Sequence, residues 1–175
     1  LFASIFTSRL QGERLGEEHF ADLLRMSQDP RVMATLGGRL LSEAETREML
    51  DRHLAHWKSH GYGAWAFRDK IDGAFIGRAG LRNIDIEGRP ETELHYALCA
   101  EYWGKGLATE IAQALVSIAF EQLDLPDVVS FTLPTNRASQ RVMEKAGFRY
   151  ERDFVHHDMP HVFYRINRPM KTLEE

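Results

Sequence analysis

A mixed α+β sheet is the fold class this sequence predicts, and three observations point to it. Residues 92–98 and 128–133 read as strands joined by a helix over 106–122, a crossover that makes a parallel, right-handed pair. Residues 62–68 and 74–81 flank a turn containing Asp72-Gly73 and read as a hairpin. Residues 148–155 and 161–166 read as a second antiparallel pair. A sheet that is mostly antiparallel with one parallel crossover is α+β and not doubly wound.

The elements follow in order. Residues 5–14 carry a first strand that ends in a polar, glycine-containing stretch. Residues 17–27 have Phe20, Leu23 and Leu24 at helical spacing, and Asp29-Pro30 breaks that helix. A short helical turn follows through Val32, Met33 and Leu36. Ser42-Glu43-Ala44-Glu45 is a capping box, in which the Ser and Glu side chains each satisfy the other's backbone N–H. It starts a helix that runs to about His60 and stops at Gly61. Residues 85–90 are polar, include Gly88 and Pro90, and read as a loop. Leu107, Ile111, Leu115 and Ile118 keep helical register after the 92–98 strand. Asn136 opens a last helix over 137–146, which Gly147 closes.

The 175 residues are enough for one domain with a sizeable core, so residues 1–175 are expected to form a single unit. The net charge of −4 argues against a general electrostatic grip on nucleic acid. No apolar run approaches the ~20 residues needed to cross a bilayer, and the apolar opening at residues 1–6 has no preceding positive region. Cys99 is the one cysteine, so an intrachain disulfide is excluded and a reducing, cytoplasmic setting fits. His53, His56 and His60 recur along one helix, and His156, His157 and His161 cluster late. Neither group has the Cys or carboxylate companions of a metal site, so no metal is expected.

The most informative stretch is Tyr102-Trp103-Gly104-Lys105-Gly106-Leu107-Ala108-Thr109. It joins a strand to a helix through two glycines. Glycine lets the backbone turn sharply and approach a ligand. The first helical turn leaves unpaired N–H groups at the positive end of the helix dipole. Strand, glycine turn and helix together form a phosphate cradle or, with equal economy, a plain tight turn.

Three further segments decide between these. They are Phe75-Ile76-Gly77-Arg78-Ala79-Gly80-Leu81, Glu93-Leu94-His95-Tyr96-Ala97-Leu98, and Asn136-Arg137-Ala138-Ser139 with Glu144-Lys145-Ala146-Gly147-Phe148. In this order and spacing the chain resembles the GNAT acyltransferase superfamily, over about residues 7–168. It is most similar to the branch of ribosomal-protein N-terminal acetyltransferases, the RimJ/RimL type. The superfamily's pyrophosphate loop is usually Gln/Arg-x-x-Gly-x-Gly/Ala, and here the six positions are Trp103 to Ala108. Trp103 departs from the general pattern and agrees with the branch, where an aromatic precedes Trp-Gly-x-Gly.

The resemblance implies acetyl-CoA as cosubstrate and a fold in which the parallel strands splay apart. Pyrophosphate would sit on the N–H groups of Gly104, Lys105, Gly106, Leu107, Ala108 and Thr109, with the Lys105 side chain either adding charge or simply solvated. Main-chain groups of Leu98 and Ala100 would pair with the pantetheine amides, and an N–H near Leu98 would hold the developing oxyanion. Asn136 either contacts the cofactor arm or serves only as a helix N-cap. Many members place a Tyr four residues before the Gly-Phe pair to protonate the leaving thiolate, and here that position is Met143. The branch's substitute is the Ser of Asn-x-x-Ser, which is Ser139, whose other role is to start the helix. Glu93 matches the family carboxylate that removes the amine proton, directly or through water. His95 lies two residues on, facing the same way.

The expected function is direct transfer of acetyl from acetyl-CoA to a primary amine, on a protein N-terminus or a small molecule. An α-amino group, with a reference pKa of about 7.7–8.0, needs less help from a base than a lysine near 10.4. The alternative is an acyl-CoA-binding sensor or scaffold with little catalysis, suggested by Met143. A nucleotide-phosphate binder fits poorly, because the loop lacks the Lys-Ser/Thr ending of a P-loop. A homodimer would suit the branch. The acceptor site is expected from the segment before Gly61, the 85–90 loop and residues 154–160.

Overall fold

The computed structural model describes residues 4–170. Its strands are β1 (Ser4–Phe6), β2 (Leu10–Arg14), β3 (Ala64–Asp69), β4 (Phe75–Ile86), β5 (Arg89–Leu98), β6 (Asp127–Thr132), β7 (Arg149–His156) and β8 (Met159–Asn167). Its helices are α1 (Phe20–Ser27), α2 (Pro30–Ala34), α3 (Glu43–His60), α4 (Leu107–Ser117) and α5 (Arg137–Lys145). The strands form one sheet in the order β1-β2-β3-β4-β5-β6-β8-β7. All neighbours are antiparallel except β5 and β6, which are parallel.

The predicted caps form. Ser42 Oγ accepts the Glu45 N–H at 3.1 Å, and Glu45 Oε2 accepts the Ser42 N–H at 2.8 Å. The short turn after Asp29-Pro30 is α2, capped by Asp29 Oδ1 on the Arg31 N–H. One core packs α4 onto Trp65, Leu81, Leu94 and Leu98, and a second packs α1–α3 onto Ala64, Ala66 and Ala97. At the far end Arg165 of β8 pairs with Glu91 (2.8 Å), Asp127 (2.6 Å) and Glu151 (3.2 Å), tying β5, β6 and β7 to it.

Two expectations are corrected. Residues 5–14 are two strands, not one. The intervening turn is closed by the Thr7 N–H on the Leu10 C=O and the Leu10 N–H on Thr7 Oγ1. It holds no Gly or Pro, so it leaves no compositional mark. Residues 85–90 are not a loop: β4 and β5 stay paired through Asp85–Pro90 and Ile86–Arg89. Only Glu87 and Gly88 turn, with φ of 52° and 81°, as a tight hairpin requires. Pro90 is tolerated because antiparallel pairs alternate in hydrogen bonding. The Cys99 N–H donates to Ile76, which puts Pro90 in a non-bonded pair where its missing N–H costs nothing.

Candidate active site

The parallel strands meet at a single register pair, Glu93–Val129. Ser130 Oγ donates to the Leu94 C=O at 2.8 Å, and beyond that no ladder joins β5 to β6. The same alternation that accommodates Pro90 turns the N–H and C=O of Leu98 away from β4 and toward this gap. The Leu98 C=O is already taken by the Trp103 indole N–H at 3.0 Å, which leaves the Leu98 N–H as the group facing the gap. The Ala100 C=O accepts the Trp103 backbone N–H at 3.2 Å. Trp103 therefore staples the strand end to the loop that follows.

That loop has the predicted form. Gly104 and Gly106 have φ of 74° and 76°, left-handed values that a side chain would strain. A Cβ on Gly104 would meet nothing within 4 Å, so it is the backbone angle and not crowding that demands glycine, and the space above is open. Gly106 caps α4 without any side-chain hydrogen bond. The first intrahelical acceptor is used by the Glu110 N–H, so the N–H groups of Leu107, Ala108 and Thr109 have no acceptor among the described residues. An open, uncapped helix start beneath two left-handed glycines fits a phosphate. Lys105 is exposed, with its ammonium 5.5 Å from the centre of the Tyr102 ring.

The β1–β2 turn braces the loop from outside. Thr7 Oγ1 donates to Glu110 Oε2 at 2.6 Å, Arg9 Nε donates to Glu110 Oε1 at 2.9 Å, and Arg9 Nη1 donates to the Lys105 C=O at 2.8 Å. Sequence reasoning missed this contact, because about a hundred residues separate its sides.

On the α4–α5 side, Asn136 is the N-cap of α5, its Oδ1 accepting the Ser139 N–H at 3.1 Å. Ser139 Oγ lies 2.7 Å from the Tyr96 hydroxyl, which also contacts the Ser139 C=O at 3.0 Å. Burial pushes the Tyr96 phenol up to about 12, so it stays protonated at neutral pH. The sequence motif alone assigns Tyr96 no role. The signal was its place in the alternation, facing opposite to Glu93. Met143 is buried in the core.

On the α1–α3 side, cross-strand register sets Arg78, Gly80 and Arg82 of β4 opposite Ala97, His95 and Glu93 of β5. Glu93 is buried and ion-paired with Arg82. Burial raises its pKa above the ordinary carboxylate value, and the Arg82 guanidinium opposes the rise. Glu93 and Ser139 thus stand on opposite faces of β5 and are not brought together. The His95 ring stacks on His53 of α3 at 5.4 Å. Burial, reinforced by Arg78 and Arg82, lowers His53 to about 3, and burial likewise holds His95 well below its ordinary value. Both rings are neutral at physiological pH.

The other histidine groups have local work. His56 Nδ1 contacts the Tyr62 C=O at 2.8 Å and His56 Nε2 accepts the Asn83 N–H at 3.0 Å. Among the described residues no group of three or more His, Cys, Asp or Glu is arranged to hold a metal. None of the described helices is long and apolar enough to cross a membrane. Cys99 is buried, which pushes its thiol up to about 11 and makes it a poor nucleophile.

A splayed parallel pair, a glycine loop opening a helix at its mouth, and polar side chains on both faces of the inner strand together form the candidate active site. Residues 9–149 match the family model of the Acetyltransferase (GNAT) domain, and the chain belongs to the GNAT acetyltransferase family. The Aspergillus fumigatus protein named FsC-acetyl coenzyme A-N(2)-transacetylase is 30% identical over 180 residues, spanning 98% of this chain and 72% of that protein. The Bacillus subtilis protein YkkB is 31% identical over 136 residues, 78% of each chain. A crystal structure of an acetyltransferase from Agrobacterium tumefaciens superposes with a TM-score of 0.84 at 28% identity, covering 96% of both chains.

Proposed function

We propose that residues 1–175 act as one domain that moves the acetyl group of acetyl-CoA to a primary amine by direct attack, in the manner of the RimJ/RimL branch. The observation that carries this is the gap between β5 and β6 ending in the uncapped N–H groups of Leu107 to Thr109. The name of the A. fumigatus relative, which includes acetyl coenzyme A, supports the same cosubstrate. The aromatic-Trp-Gly-x-Gly form of the loop supports the branch. The lone buried thiol suits a cytoplasmic setting.

Acetyl-CoA supplies an activated thioester; a C–N bond forms, the C–S bond breaks, and CoA leaves as a thiol. The N–H groups from Gly104 to Thr109 bind pyrophosphate, with Asn136 and the main chain of Ala100 along the cofactor's path. The Leu98 N–H steadies negative charge on the carbonyl oxygen. Glu93, whose pKa is raised by burial, takes the amine proton directly or through water. Ser139, hydrogen-bonded to Tyr96, gives a proton to the departing sulfur from the opposite face and regains one from solvent, while Glu93 releases the amine's proton to solvent. Thiol release measured across a panel of amines tests this. CoA appearing only when an amine is present supports transfer. Tight cofactor binding with no release from any amine would favour the sensor.

A further inference from the structure

The acceptor side of β5 carries an imbalance of charge. Two guanidinium groups, Arg78 and Arg82, face it with one carboxylate, Glu93, leaving a net of +1 among these residues. Arg82 has Glu93 as its partner. Arg78 makes no ion pair with any described carboxylate; its one polar contact is His95 Nδ1 at 3.5 Å. The stacked histidines are neutral and cannot compensate it, and His95 Nε2 is itself buried without a hydrogen-bond partner. Glu93 is the carboxylate whose field reaches Arg78, and it is already engaged.

Arg78 lines a narrow cleft of about 20 Å³, space for roughly one water, together with Ala97, Ser27 and the apolar Leu23, Val32 and Met49 of α1, α2 and α3. Arg78 is half-buried; a cation drawn that far from water without a counter-ion carries a cost, and a guanidinium fork matches a carboxylate in two parallel hydrogen bonds. Ala97 lies directly across from Arg78, one residue before Leu98 at the mouth of the gap.

On the reading of the chain as an acetyltransferase, we propose that its acceptor is an amine that also carries a carboxylate, held by Arg78 in this cleft once the cleft has widened beyond its one-water space. The carboxylate replaces the missing counter-ion, and polycationic amines are disfavoured by the same charge. An amino acid offers this chemistry on one small molecule; a peptide N-terminus followed by an acidic residue offers it on a chain.

The test compares thiol release from leucine with leucinamide, and from peptides beginning Met-Glu with those beginning Met-Gln. Spermidine serves as the polycation. Because the amide also lowers the amine pKa, the readout is the ratio of kcat/KM values, carboxylate over amide, in wild type and in Arg78→Gln. A fall of that ratio by roughly 100-fold in the leucine or the peptide arm supports the proposal, and the responding arm identifies the source. Partial recovery in Arg78→Lys separates charge recognition from packing. Arg78→Met should keep or raise the melting temperature, because an unpaired cation leaves; clear destabilisation would mark a structural arginine and overturn the proposal. A ratio unmoved by Arg78→Gln, or spermidine acetylated faster than every carboxylate, overturns it while leaving the transferase intact. Absence of acetyl-CoA binding and of release with any amine overturns both.

Discussion

The two faces of β5 do different work by different means. Toward the gap and α4, the recognition proposed above rests on the main chain: N–H groups of Leu98 and of Leu107 to Thr109, exposed because the strands part and the helix is uncapped. Toward α1–α3, it rests on side chains from three elements, with Arg78, Arg82, Glu93, His53 and His95 in one cluster. A cosubstrate shared by a whole family can be held by backbone, which any sequence supplies if its glycines fall in the right places. An acceptor that differs between members has to be read by side chains.

The largest effect should come from the backbone side. Gly104→Val forces a β-branched residue to φ near 74°, a strain of about 1–3 kcal/mol that the loop relieves by leaving its conformation. Acetyl-CoA affinity should fall by roughly 100-fold in calorimetry while the amine KM stays put. An unchanged affinity would break the comparison.

Next come the hydroxyls. Ser139→Ala should lower kcat about 100-fold, the low end of what general acid catalysis contributes, without altering cofactor affinity. Tyr96→Phe should lower kcat less, because it removes only the partner that orients Ser139. A double variant no worse than Ser139→Ala would show that the two act as a unit.

On the acceptor side, Glu93→Gln should cost roughly tenfold in kcat, since an α-amine is partly neutral near pH 8 without a base. Its effect should shrink as pH rises from 7 to 9. A loss that stays constant with pH would mean Glu93 serves only to hold Arg82.

The smallest effect is on stability. His53 has a folded pKa of about 3 against an unfolded value near 6.5, so the folded state binds fewer protons. Its stabilising contribution is complete above pH 6.5 and is lost as pH falls toward 3. Between pH 7.5 and 6 the loss is about 0.8 kcal/mol for this group. Urea titrations should show that slope reduced in His53→Gln, and an unaltered slope would mean that the ring is solvated.

The same division explains what the sequence disclosed. The form of the glycine loop was legible because its demands are local: two left-handed glycines, a helix start and a preceding strand all lie within residues 92–109. The capping box at Ser42 and the α5 cap at Asn136 were legible for the same reason. The β4–β5 tip was misread because polarity and Pro90 suggest a loop, whereas exposure at the end of a hairpin demands the same composition. The Thr7–Glu110 brace and the Tyr96–Ser139 contact link segments that only the fold brings together. The strand motif alone assigns Arg78 no role; its lack of an ion-pair partner among the described residues appears only once the neighbours of β4 are known.

On the proposed function, main-chain groups between Leu98 and Thr109 bind acetyl-CoA. Calorimetric titration of the wild-type protein with acetyl-CoA tests it most directly. One molecule should bind per chain, with the binding abolished or severely weakened in Gly104→Val. No heat at about 1 mM, the upper end of ordinary substrate affinities, would contradict it.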